Sequence, residues 1–183
     1  MMKRMKVHGM RRSGNNWLLR LLLDNYYVDW IGNGDSHTHD PIATGMEVDY
    51  LFIIVKHPLA WLPSICRYKK QRFPQYAEIL DWNFTYRRWL DEGERHNAHI
   101  IRYEQLLAGP EKLLDSFGMP KIGNWIQHER KMNRRGGVSK YPFNKDYYLK
   151  KGYMVWYSGN VARTVMDTVD KDVLERLGYG NSC

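Results

Sequence analysis

Gly9 and Gly14 stand five positions apart in the stretch Val7-His8-Gly9-Met10-Arg11-Arg12-Ser13-Gly14-Asn15-Asn16-Trp17. This is the glycine spacing of a Walker A loop, in which backbone N–H groups and a helix N-terminus cradle phosphate oxygens. Such a loop continues with Lys, which reaches the terminal phosphates, and then with Ser or Thr, which holds Mg²⁺. Asn15 and Asn16 take those two places here. The chain keeps an anion cradle without the parts that serve a metal-bound triphosphate. Arg11 and Arg12 lie inside the turn, where a guanidinium can fork onto phosphate oxygens.

Two further groups suit an anionic ligand. Lys56-His57-Pro58 follows the apolar run Tyr50–Val55, and Ser64 comes eight residues after Lys56. In an open α/β sheet, ligands sit beyond the carboxyl ends of the strands, which is where Lys56 falls. Ile100-Ile101-Arg102-Tyr103-Glu104 repeats the arrangement, with Tyr103 placed to face a base or to cap the core.

The elements that must carry these groups follow from apolar patterning. Lys3–His8 reads as a strand, Gly9–Ser13 as a turn, and Gly14 to about Asp24 as a buried helix, with a possible strand at Tyr26–Ile31. Tyr50–Val55 is a continuous apolar run suited to a strand covered on both faces. Helices are expected at about Leu59–Lys70, Asp81–Asn97, Pro110–Phe117 and Asp170–Leu177, with a strand at Ala98–Arg102. Strands alternating with helices predict one three-layer α/β domain over 1–183, with a central, mostly parallel sheet and a P-loop-like opening.

Composition narrows the function classes. The 183 residues carry a formal net charge of +8, with basic runs at Arg67–Arg72, Arg130–Arg135 and Lys150-Lys151. An anionic partner is implied, either nucleic acid or a small polyanion. The densest apolar run is five residues, Leu51–Val55, so no membrane partner is expected. The basic segment Met1–Lys6 precedes no apolar signal core, and Cys66 and Cys183 make neither a disulfide framework nor a zinc site. A reducing, cytoplasmic setting and no bound metal are the expectations.

Taken together, these motifs resemble the sulfotransferases that use 3′-phosphoadenosine-5′-phosphosulfate (PAPS), and the resemblance spans most of the chain. Arg11-Arg12-Ser13-Gly14-Asn15-Asn16-Trp17 looks like the family's Pro-Lys-Ser-Gly-Thr-Thr-Trp. By that match Arg12 falls on the catalytic Lys, Asn15 and Asn16 on the Thr pair that holds the 5′-phosphate, and Trp17 on the Trp that packs against adenine. Lys56-His57-Pro58 with Ser64 keeps the spacing of the Arg-Asp-Pro signature and the Ser that bind the 3′-phosphate. Tyr103-Glu104 resembles a Tyr-Glu-Asp step near the adenine, and Leu177-Gly178-Tyr179 a common ending. Lys150-Lys151-Gly152 before Trp156 resembles a late Arg-Lys-Gly motif, with one residue less before the Trp and no Gly-Asp; Arg134 and Arg135 are rivals for its role.

The resemblance implies PAPS as donor, adenosine 3′,5′-bisphosphate (PAP) as product, no metal, and a base that deprotonates the acceptor. His37 is the first candidate for that base, then His39 beside Asp40, then Glu47. Trp30, Trp61, Tyr68, Trp82, Phe84, Tyr86 and Trp89 either line an acceptor pocket or fill the core. The acceptor itself is a glycan, a small molecule or a protein side chain. Three alternatives stand beside this reading: an inactive nucleotide-binding relative, a P-loop small-molecule kinase, and a basic nucleic-acid-binding module. Asn15-Asn16 oppose the kinase, and no recognised nucleic-acid motif favours the last.

Overall fold

The computed structural model describes residues 2–32, 42, 46–71, 75–128 and 145–180. Among them, four strands form one sheet in the order β2-β1-β3-β4, built from β1 (Lys3–His8), β2 (Val28–Trp30), β3 (Tyr50–Val55) and β4 (His99–Arg102). Every pairing is parallel, with His8 opposite Ile53 and Val55 opposite Arg102. All four carboxyl ends therefore lie along one edge. β3 is buried almost throughout because helices cover both faces. Ile53 packs toward Gly93 of α3 (Tyr76–Arg95), while its neighbour Phe52 points to the other face and meets Phe117 at a ring separation of 5.5 Å.

The glycine loop leads into α1 (Asn15–Asn25), whose Leu18, Leu21 and Leu22 are buried. Pro58 starts α2 (Pro58–Lys69), which suits a residue lacking an N–H and preset to helical φ. β4 runs directly into α4 (Tyr103–Ala108), followed by α5 (Pro110–Asp115). After the undescribed residues 129–144 come α6 (Lys145–Leu149), a 3₁₀ turn (Gly152–Trp156), α7 (Gly159–Thr168) and α8 (Lys171–Arg176). No helix among the described residues is long and apolar enough to cross a membrane.

Some boundaries differ from those expected, each for a local reason. α3 begins at Tyr76 rather than Asp81 because Gln75 and Glu78 form a capping box, in which the Gln75 N–H donates to Glu78 Oε2 (2.7 Å). Tyr26 and Tyr27 stay out of β2. Tyr26 forms an isolated antiparallel bridge with Lys121, and the Tyr27 N–H donates to the Pro120 carbonyl (2.8 Å). α7 was not expected: Val165 is its sole fully buried residue, with Ala162 and Met166 half-covered, so its apolar stripe is thin. At the end of the chain Asp170 caps α8, and Gly178 closes it with φ +77°.

The end of β1 is fixed by a buried polar contact. The His8 ring stacks on Trp89 of α3 with centroids 5.2 Å apart, and its Nε2 lies 3.3 Å from Glu92 Oε2. Burial alone would raise the Glu92 carboxyl, but the His8 bond, the Ile42 N–H and the charges of His8 and Lys6 together hold it below the usual range. Strand β1 is thereby tied to α3 one residue before the loop begins.

Candidate nucleotide site

The glycine loop is held by its own side chains. Ser13 is fully buried; its hydroxyl donates to the Met10 carbonyl and lies 2.9 Å from Asn15 Oδ1. Asn15 Nδ2 donates back to the Gly9 carbonyl. Gly9 is required by this closure, since a Cβ there would stand 2.1 Å from Asn15 Oδ1 and 2.5 Å from Ile54. Both Ser13 and Asn15, expected to meet phosphate, are engaged inside the loop. The Trp61 indole N–H donates to the Arg11 carbonyl (2.8 Å), and Arg11 Nη1 donates to the Tyr68 hydroxyl (3.1 Å), which docks the loop on α2.

Arg11, Arg12 and Asn16 lie on the exposed side. Arg12 adopts φ +70°, a conformation that is costly for a residue with a Cβ and so is imposed by the turn around it. Gly14, at φ +106°, precedes α1 directly; its carbonyl accepts from the Trp17 and Leu18 N–H groups (3.0 Å each), which leaves the Asn15 and Asn16 amides at the helix start without an intrahelical acceptor. No acidic residue occupies that first turn, so the positive end of the helix dipole is left uncompensated by its own side chains.

Tyr103 is the hub of the site. It leaves the carboxyl end of β4 fully buried, and its ring lies so close to Gly14 that a Cβ there would come within 2.7 Å. Trp17 meets the same ring edge-on at 6.3 Å and donates its indole N–H to the His128 carbonyl (2.9 Å). Lys56 Nζ lies 4.3 Å from the Tyr103 centroid. Residues from the ends of β1, β3 and β4 thus converge. Ser64 is buried in α2 and is not among the side chains that these contacts join.

Lys56 is 0% exposed, and Tyr148 of α6 covers it from a second side, with the ring centroid 4.5 Å from Nζ. A strand-end lysine commonly reaches solvent; this one is buried, with aromatic rings on two sides. Spacing gave no hint of Tyr148, because α6 lies some ninety residues beyond Lys56. Gly152 packs against Tyr147, where a Cβ would stand 3.0 Å from its ring, and Lys151 takes φ +53°. Lys150 is paired at the surface with Asp146 (2.8 Å).

His57 caps α2: its Nδ1 accepts from the Leu59 N–H at 3.3 Å. Glu104 joins distant segments, accepting from the His57 N–H (3.3 Å) and from the Tyr179 hydroxyl (2.7 Å). Tyr179 in turn meets the His57 ring edge-on at 5.1 Å. Burial and the Glu104 carboxylate push the Tyr179 hydroxyl well above its usual pKa, so it remains a donor. Three stretches singled out in the sequence, Lys56-His57-Pro58, Tyr103-Glu104 and Leu177-Gly178-Tyr179, are thereby in contact.

Burial first, and then the charge of Lys151, lower the His57 pKa to about 4. A capping nitrogen must be neutral to accept, so the cap and the depressed pKa go together. In the unfolded chain the ring protonates near its usual value of about 6.5. Between these values the unfolded state binds more protons, so stability rises with pH and is lost on acidification from about pH 6.5 toward 4, by up to about 3 kcal/mol. We expect the His57 resonances to show no titration between pH 8 and 5. The urea midpoint should fall over the acid window less in His57→Asn than in the wild type.

His37 and His39, with Asp40, and the rival cations Arg134 and Arg135 lie outside the described residues. Glu47 is described and is exposed, near the start of β3 rather than its carboxyl end. Of the aromatic residues considered for an acceptor pocket, Trp61, Trp82, Tyr86 and Trp89 are core, Trp30 is half-buried, and Tyr68 and Phe84 are exposed. Among the described residues no group of three or more His, Cys, Asp or Glu side chains is placed to hold a metal ion. Comparison with models of protein families finds no match, and neither the curated proteins nor the solved structures give a significant one.

Proposed function

We propose that this chain is a single sulfotransferase-like domain with a P-loop-like fold, which moves a sulfonate group from PAPS to a hydroxyl or amine acceptor. The observation that carries the reading is the convergence on Tyr103 of the glycine loop, Trp17 and Lys56 at the carboxyl edge of a parallel sheet. An anion cradle at one strand end and a cation at another suit the two phosphates of one nucleotide, with the half-buried Trp17 as an aromatic surface for its base and the buried Tyr103 ring behind it. The late turn brings a further cation, Lys151, whose charge is felt at His57. Where the resembled signature has Asp, His57 keeps the capping bond to α2.

In the proposed step the acceptor oxygen or nitrogen attacks sulfur in line with the bridging oxygen. The new bond to sulfur forms as the sulfur–bridge bond breaks. PAP leaves with that electron pair, and the acceptor proton passes to His37 or His39. Arg12, on the exposed side of the loop, stabilises the charge that grows on the bridging oxygen. The step needs no metal, which accords with Asn15-Asn16 in place of Lys and a hydroxyl. A reducing, cytoplasmic setting goes with this reading, and Cys66 is a buried free thiol.

Titration calorimetry with PAP and with ATP, each in EDTA and in Mg²⁺, tests the proposal. Metal-independent binding of PAP, at least tenfold tighter than ATP, is expected. Preference for Mg²⁺-ATP would instead support a kinase. A second reading, a nucleotide-binding relative without turnover, is favoured by the inward-turned Asn15 and the buried Lys56. PAP binding without transfer to any acceptor would select it.

A further inference from the structure

The 3₁₀ turn Gly152–Trp156 shows apolar side chains to solvent although it is held firmly on both sides. Tyr153 is buried and meets the rings of His57 and Tyr147, and the Tyr157 hydroxyl donates to the Leu59 carbonyl (2.9 Å). Between these two tyrosines stand Met154, Val155 and Trp156, with Val155 83% and Trp156 49% exposed. The fixed tyrosines thus turn three consecutive apolar residues outward. Single exposed apolar residues are ordinary on a protein surface, whereas a contiguous group marks a contact.

The surface beside this turn is aromatic and basic. The Arg67 guanidinium lies 5.5 Å from the Trp156 ring centre. Tyr68, the next residue of α2, is 52% exposed and accepts from Arg11 Nη1. Arg11 and Arg67 are exposed, as are Lys70 at the end of α2 and Lys151 at the start of the turn. Among the described residues no carboxylate pairs with any of these four cations, whereas Lys3, Arg20, Arg87 and Arg176 each have one.

We propose that the face built from the 3₁₀ turn and the C-terminal half of α2 docks on an anionic lipid bilayer. Val155 and Met154 enter the acyl boundary there, Trp156 and Tyr68 sit among the headgroups, and the four cations meet lipid phosphates and carboxylates. Each Lys or Arg near an anionic leaflet raises partitioning by about fivefold, so charge draws the chain in and the apolar tip holds it. A second copy seated on the same face would bring like charges together, and a soluble polyanion would leave Val155 in water. No long apolar run is needed, because the glycine loop, α2 and the late turn meet only in the fold. Vesicle binding needs no nucleotide, so the docking face stands or falls apart from the PAPS reading.

Flotation of the full chain with phosphatidylcholine vesicles, with and without phosphatidylserine, tests the proposal. Binding to the anionic vesicles should exceed that to phosphatidylcholine alone by at least about tenfold and weaken as salt is raised. Brominated acyl chains should quench part of the tryptophan fluorescence, and that part should disappear in Trp156→Phe. Val155→Ser should weaken vesicle binding by at least about threefold, and Val155→Ser with Trp156→Ser by at least about tenfold, with binding to dextran sulfate unchanged. Both proteins should keep the wild-type urea midpoint, since Tyr153 and Tyr157 hold the turn. Tyr27 is exposed ahead of β2, at the opposite edge of the sheet, and Tyr27→Ser should bind vesicles as the wild type does. Absence of binding to anionic vesicles would overturn the docking face. Binding that survives both serine substitutions, with no bromine quenching of Trp156, would also overturn it and reduce the effect to the net charge of +8. A loss on dextran sulfate as large as that on vesicles would make the face a site for a soluble polyanion instead.

Discussion

Arg12→Ala is expected to transfer sulfonate about a thousandfold more slowly while binding PAP within about threefold of the wild type. The asymmetry follows from when the guanidinium is needed. The ground-state nucleotide is proposed to be held by the loop amides, the end of α1, Lys56 and Lys151, so losing one exposed side chain removes little binding. The bridging oxygen acquires its charge only as the bond to sulfur breaks, and a cation aimed at that atom acts on the transition state. Removing one such preorganised group typically costs a factor of about 10²–10³ in rate. Arg12 is suited to this role because the turn holds it at φ +70°, on the exposed side of a loop whose Ser13 and Asn15 are committed to its interior. Arg12→Lys should recover part of the rate, since the charge returns without the planar fork. Steady-state rates beside calorimetric affinities decide the matter. Equal losses in both would make Arg12 a phosphate anchor.

Gly14→Ala should be strongly destabilising, through both backbone strain and a clash with Tyr103. At φ +106° any Cβ is strained, and this one would stand 2.7 and 2.9 Å from two Tyr103 ring carbons and 3.3 Å from Ile54. Strain of roughly 1–2 kcal/mol for the backbone adds to about 1–3 kcal/mol for overpacking. A loss of about 2–5 kcal/mol in urea unfolding is therefore expected. Because the displaced ring is also the platform for Lys56 and Trp17, PAP affinity should fall by at least about tenfold in the fraction that remains folded. Gly109→Ala is the control: no atom lies within 4 Å of a Cβ there, and its stability should stay within about 0.5 kcal/mol. A Gly14→Ala protein as stable as that control would mean that the loop and Tyr103 are not tightly packed.

Much of this arrangement was legible in the residues themselves. Leu51–Val55 predicted a strand covered on both faces, and β3 is one. The Gly9–Gly14 spacing placed a turn between β1 and α1, and the helix expected from about Leu59 begins one residue earlier, at Pro58. These signals are local: an apolar run, a positive-φ glycine and a missing N–H act on the backbone within a few residues. The regions that were misjudged lack such signals. α7 presents a single fully buried residue, and the start of α3 depends on the Gln75–Glu78 box rather than on periodicity.

The amino-acid order by itself determined the class of ligand chemistry that the site can offer: glycines that bring backbone amides together, cations at two strand ends, and no Walker Lys or hydroxyl beside them. What each side chain does was decided by tertiary packing. Asn15 and Asn16 are adjacent and identical in type, yet the first is turned into the loop and the second faces outward. Lys56 was expected to be an open strand-end charge, but it is buried, and α6, joined to it only through the fold, sets Tyr148 against it. His57 serves as a neutral cap because burial and Lys151 hold its proton off. Spacing acts through the backbone over a few residues. Burial, by contrast, and the charge state that follows from it, depend on which distant segments come to rest against a group.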